Sequence, residues 1–157
     1  PGNSIDHRYV AMALGQARLD YDLGGIVFDP WGSRKITGDL CDEYGFTLDV
    51  EQGKRYNQPW LLIAPQNYGF WTPPLNDLVN FLLAKKIAHG GNPILRWNAS
   101  NVMVEEGHYG GLRPHKKKSR EKIDGICALV MALEAAIRNA GGAGCRSVYE
   151  ERGVRAV

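Results

Sequence analysis

Two uninterrupted apolar runs constrain the fold of this chain more than any other feature. Gly25-Ile-Val-Phe-Asp-Pro and Trp60-Leu-Leu-Ile-Ala-Pro lack the alternation of a strand with one wet face. Each therefore reads as a strand covered on both sides. Pro30 has no N–H with which to continue a ladder, so the first run stops there. Helical periods flank these runs. Tyr9, Val10, Ala13, Leu14 and Ala17 recur at three- and four-residue spacing between Tyr9 and Leu19, and Gly24-Gly25 breaks the pattern. Arg34 to Tyr44 fits a second helix ended by Gly45. Helices alternating with buried strands imply an α/β domain.

Further along, Thr72-Pro-Pro precedes a helix. Thr72 is expected to cap it, the prolines suit its first turn, and Leu75, Leu78, Val79, Leu82 and Leu83 share a face. Gly90-Gly91 is expected to close it. Pro93 to Asn101 reads as a shorter helix, and Val102 to Glu106 as a strand leading into a turn at Gly107. Ile123 to Arg138 is the last helix, with Ile123, Ile126, Cys127, Val130, Met131 and Ile137 near one face. Phe46 to Asn57 fits either an extension of the helix before it or a loop. Gly141 to Val157 is Gly-rich and then charged, which predicts a weakly ordered tail.

At 157 residues the chain has the size of one domain. No apolar run approaches the roughly 18 residues of a membrane span. No phosphate loop of the G-x-x-x-x-G-K-[ST] type and no G-x-G-x-x-G is present, which argues against ATP hydrolysis or dinucleotide binding by this segment. The three cysteines, Cys41, Cys127 and Cys145, lack C-x-x-C spacing and leave an odd thiol, so neither a zinc site nor a disulfide framework is expected. A net charge of +2 does not identify a nucleic-acid partner, so local clustering must carry that argument.

Several residues are candidates for chemistry, each with a bland alternative. Asp29 ends a buried strand, where open α/β sheets bind ligands. In Asp29-Pro-Trp-Gly it could equally accept turn hydrogen bonds. Asp124 opens the last helix, where an acid complements the helix dipole with no further role. Gly125 beside it would admit a close backbone or phosphate. Lys116, Lys117 and Lys118, with Arg113, His115, Arg120 and Lys122, form a basic stretch just before Asp124. It suits phosphate contacts, or it is a solvated loop. His89, before Gly90-Gly91, reads as a dipole partner at the end of a helix or a neighbour of the site. Trp31, Trp71 and Trp97 read as core or cleft walls rather than base-stacking platforms.

Four segments in series, Ile26-Val-Phe-Asp-Pro-Trp-Gly-Ser-Arg, Gln66-Asn-Tyr-Gly-Phe-Trp-Thr-Pro-Pro-Leu, His89-Gly-Gly-Asn-Pro-Ile-Leu-Arg-Trp-Asn-Ala-Ser-Asn and Lys116-Lys-Lys-Ser-Arg-Glu-Lys-Ile-Asp-Gly-Ile-Cys-Ala-Leu, resemble the C-terminal region of HK97-type phage terminase large subunits. The resemblance covers roughly residues 5–140. It implies an RNase H-like nuclease domain at residues 1–140, followed by the tail at 141–157, and cutting of concatemeric double-stranded DNA by two-metal hydrolysis. Asp29 and Asp124 match two of the family's three metal-binding acids, with Mg2+ or Mn2+ as cofactor. Lys116, Lys117, Lys118 and Arg120 are the expected DNA contacts. The expected partners are a packaging ATPase domain, a small terminase subunit and the portal, in the cytoplasm of a bacterial host.

The chain departs from the family pattern in two places. The family's first acid lies on a strand upstream of the opening helix, and residues 1–8 leave no room for it, so the sheet is expected to lack its first strands. Asp6 is expected to be only a helix cap. The connection from Gly45 to Trp60, centred on 46–59, reads as an insertion. With one acid absent, a non-catalytic DNA-binding or motor-docking role is the alternative. A sheet missing those strands exposes the edge of Gly25 to Asp29 and much of one apolar face, so the chain should be less stable than the complete nuclease domain.

Overall fold

The structure is a computed structural model and describes residues 6–48 and 59–140. The chain begins with helix α1 (His7–Asp20), strand β1 (Gly25–Phe28), helix α2 (Ser33–Tyr44) and a short strand β2 (Thr47–Leu48). Strand β3 (Trp60–Ile63) and helices α3 (Tyr68–Leu83) and α4 (Pro93–Asn101) follow. A hairpin of β4 (Val104–Glu106) and β5 (Leu112–Pro114) then leads to helix α5 (Asp124–Ala140). The expected tail at 141–157 and most of the 46–59 connection lie outside the described residues.

β3 is the middle strand of a parallel sheet ordered β1-β3-β2, with Val27 opposite Leu62 and Thr47 opposite Trp60. Among the described residues β1 pairs on one side only, so the predicted open edge is present. A core lies against each face of the sheet, in keeping with the lack of polar alternation in its two longer strands, although Ile63 at the end of β3 is 40% exposed. On one face Ala11, Leu40, Phe46 and Leu61 form a core with Ile26 and Phe28 packed against it. On the other, Trp71, Leu75, Ile123, Ile126 and Val130 gather with Ala64, and Val27 packs there. β1 thus sends alternate side chains into two cores.

Several boundaries differ from expectation. α3 starts four residues before Thr72, because Asn67 caps it by accepting the Phe70 N–H at 2.9 Å. Pro73 and Pro74 then lie inside the helix. Thr72 is used differently: its hydroxyl donates to the Tyr68 carbonyl at 2.6 Å and accepts the Leu112 N–H at 2.8 Å. It ties the hairpin to α3. The helix ends at Leu83, before the expected Gly90-Gly91. Residues 46–48 neither extend α2 nor loop freely, since Gly45 terminates the helix in the left-handed region and Thr47–Leu48 joins the sheet. β5 escaped the sequence reading, because three residues ending in proline show no period. Asp6 is the cap of α1, accepting the Arg8 N–H at 3.0 Å, and its hydrogen bonds to Arg8 hold its pKa at about 2.

Candidate active site

Asp29 follows β1 directly, half-buried, and its Oδ1 accepts the Trp31 N–H at 2.9 Å. The turn reading of this acid is therefore correct as geometry. It does not exhaust the residue, since Asp29 also lines a cleft of about 680 Å3 that Asp124 lines as well.

Asp124 sits in the first turn of α5, and Asn98 of α4 holds that helix start in place. The buried Asn98 amide accepts the Gly125 N–H at 2.7 Å and donates to the Ile94 carbonyl at 3.2 Å. A Cβ at position 125 would come within 3.1 Å of the Asn98 oxygen. The close neighbour that Gly125 admits is thus the Asn98 amide rather than a phosphate. Ile123, 2% exposed, anchors the preceding residue in the core.

The basic stretch divides. Lys116 and Lys117 line the cleft, and the Lys116 ammonium lies 3.1 Å from Asp124 Oδ1. That hydrogen bond is the main reason the Lys116 pKa is raised, and Asp29 contributes in the same direction. Lys118 and Arg120 are exposed but do not line the cleft. The Lys118 N–H instead donates to His115 Nδ1 at 3.0 Å. His89 departs further from expectation. It lies beyond the end of α3, and its Nδ1 accepts the Gly91 N–H at 3.1 Å, away from the cleft lining. α3 stops too early for His89 to be its dipole partner.

Glu105, Gln66 and Cys127 also line the cleft and were not identified from sequence as site residues. Glu105 accepts from the Tyr68 hydroxyl at 2.9 Å and from Arg113 Nε. His115 Nε2 lies 3.1 Å from its other oxygen. Because His115 Nδ1 is an acceptor, a neutral His115 carries its proton on Nε2 and donates it to Glu105. Arg113 also lies over the Tyr68 ring, 4.7 Å from its centre. The hydrogen bonds from Arg113 and Tyr68 lower the Glu105 pKa, and the bond to Glu105 raises that of Tyr68. The sequence offered two separate signals for this cluster, the strand at 102–106 and the basic stretch holding Arg113 and His115, and nothing that joined them.

A carboxylate with a lowered pKa adds stability that is complete above its ordinary range, near 4.3, and is lost as pH falls through the lower folded value. Glu105→Gln should therefore melt at a temperature less sensitive to acid below about pH 4 than the parent. Thermal melts across that window check this. Parallel pH profiles would show that Glu105 does not hold the hairpin.

Besides Glu105, which Arg113, Tyr68 and His115 engage, the cleft holds the carboxylates of Asp29 and Asp124 with Lys116 and Lys117, a set that suits divalent metal and phosphate. Among the described residues no group of three or more His, Cys, Asp or Glu is placed to hold a metal ion. The donors present fit such an ion as part of a set rather than as a complete one.

The sequence profile described as "Terminase large subunit, endonuclease domain" matches residues 4–139. The chain belongs to that family. Over 137 residues the terminase domain is 28% identical to the large terminase subunit of Enterobacteria phage HK97, covering 87% of this chain and 25% of that protein. It is 29% identical over 138 residues to protein YmfN of Escherichia coli strain K12, covering 87% of this chain and 27% of that one. The crystal structure of the HK97 bacteriophage large terminase superposes with a TM-score of 0.69 at 25% identity, over 86% of this chain and 26% of that one. The chain thus spans about a quarter of the length of the relatives it matches. The mixed α/β terminase domain, built on a parallel sheet, agrees with the expected RNase H-like class. Among the described residues no helix is long and apolar enough to cross a membrane.

Proposed function

We propose that this terminase domain is the part of a DNA-packaging protein that cuts concatemeric double-stranded DNA by metal-dependent phosphodiester hydrolysis. The observation that carries the reading is the meeting of Asp29 and Asp124, from distant parts of the chain, in one cleft with Lys116 and Lys117. Asp29 and Asp124 would hold Mg2+ or Mn2+. Such ions, when bound, activate water and stabilise the charge that develops on the phosphate. The open side of β1, beside Asp29, is where a further strand carrying a third acid would pair. Lys117 would hold a phosphate oxygen, and Lys116 would exchange its bond to Asp124 for one to phosphate as DNA arrives. Lys118 and Arg120 would act, if at all, on DNA outside the cleft. By family membership, the ATPase portion of a full-length protein, a small terminase subunit and the portal are the proposed partners, in the host cytoplasm.

The test is Mn2+-dependent nicking of supercoiled plasmid by a chain extended upstream of Pro1, with binding of labelled duplex followed in parallel. Metal-dependent nicking supports the reading. Salt-sensitive binding without cleavage at saturating Mn2+ would favour a non-catalytic DNA-binding or docking role.

Phosphate contacts release counterions, and each lost contact lowers the slope of log K against log salt by about 1. Lys117→Ala should therefore weaken duplex binding to a similar degree whatever the sequence and flatten the salt slope by about that amount. Anisotropy titrations across salt concentrations measure it. An unchanged slope would place Lys117 off the DNA.

A further inference from the structure

Trp31 is 88% exposed, against 4% for Trp71 and 45% for Trp97. It is therefore no part of the core, contrary to the simplest reading of a tryptophan. Its backbone is nevertheless held from both sides. The Trp31 N–H donates to Asp29 Oδ1 at 2.9 Å, and Pro30 restricts the backbone before it. Gly32, with a φ of 73° that disfavours other residues, leads directly into α2. There Ser33 is buried, and its hydroxyl reaches the Pro30 carbonyl at 3.4 Å.

Single exposed apolar residues are ordinary on protein surfaces. An indole on a held turn, lining a cleft with Asp29, Asp124, Lys116 and Lys117, has a more specific environment. It stabilises little by burial, yet it lines the same cleft as the groups suited to a phosphate. The part of a DNA strand next to a phosphate is a sugar and a base, and a base offers an aromatic ring a flat face once its stack is opened. Phosphate contacts alone carry no information about stacking. An apolar wedge does, because it must part a base step, and parting is easiest where a base is already unpaired.

We propose that Trp31 packs its ring against a nucleobase beside the phosphate addressed by Asp29 and Asp124, so that the cleft favours DNA whose base stack is opened at that step. The inference rests on the endonuclease reading and deepens it. Trp31 is a positioning residue in this scheme. Its N–H bond to Asp29 couples the seat of the base to the seat of the acid, so a base against the ring sets the register of the neighbouring phosphate.

The experiment compares the 157-residue chain with Trp31→Ala and Trp31→Phe, using labelled intact duplex and the same duplex with one unpaired base, in Ca2+ to prevent cutting. Binding is read by anisotropy, and the fold of each variant by circular dichroism. The parent should prefer the duplex with the unpaired base by about tenfold, and Trp31→Phe should keep most of that preference. Trp31→Ala should bind that duplex about 5- to 100-fold more weakly and lose the preference. A parent without preference, or Trp31→Ala with the parent's ratio, overturns the proposal while leaving the endonuclease reading standing. No binding of either duplex by the folded parent also overturns the proposal, and nicking by the chain extended upstream then decides the endonuclease reading separately.

Discussion

Asp29→Asn and Asp124→Asn are each expected to reduce Mn2+-dependent plasmid nicking by about 100-fold or more, in a chain extended upstream, because even outer partners of metal ligands cost about 10–100-fold. Asparagine keeps the size of each side chain and the oxygen that accepts the Trp31 N–H. It removes the negative charge that a divalent cation requires. Both variants should therefore fold. Residues that act as one unit are not additive, so the double variant should be little worse than either single one. Nicking that survives either substitution would remove that aspartate from the mechanism. Freed from Asp124, Lys116 should still contact DNA, so binding should persist when cutting is lost.

The largest stability effect is expected at Leu61. It is fully buried at the centre of the middle strand, in the core shared by Ala11, Leu40 and Phe46. Leu61→Ala should cost about 2–5 kcal/mol, the removed transfer free energy plus the cavity left between sheet and helices. The urea midpoint should fall with little change in slope. A loss below about 1 kcal/mol would mean that this core repacks or contributes little.

The sequence made the scaffold legible where a strong signal was local. Ile26 to Phe28 and Trp60 to Ile63 are apolar without alternation, and both are strands; β1 packs into a core on each face, while β3 buries Leu61 in one core and leaves Ile63 40% exposed. Gly45 stops α2 as expected, since a left-handed residue ends it cheaply. What failed was chemistry settled at a distance. Thr72 has every mark of a cap, yet Asn67 takes that role and Thr72 bonds a hairpin forty residues away. Asp29 and Asp124 could be singled out as candidates, because each sits at an element end and the motifs around them resemble a family, and both line one cleft. Glu105 was not, because an acid in a three-residue strand shows nothing until Arg113, Tyr68 and His115 surround it. His89 misled for the opposite reason: its neighbouring glycines look like a helix stop, but α3 had already ended at Leu83.

The hairpin of β4 and β5 meets α3 through the Thr72 hydroxyl, the Tyr68 hydroxyl and the Glu105 carboxylate. Leu112 adds one partly buried contact to the apolar core, whereas the helix bearing Asp124 is rooted there through three buried residues, Ile123, Ile126 and Val130. Attachments of these two kinds open at different free energies. Amide protons of the hairpin should therefore exchange with solvent through local opening, and those of α5 only as the molecule unfolds. On the endonuclease reading, such local opening would lift one side of the cleft for duplex DNA while Asp124 stays where it is.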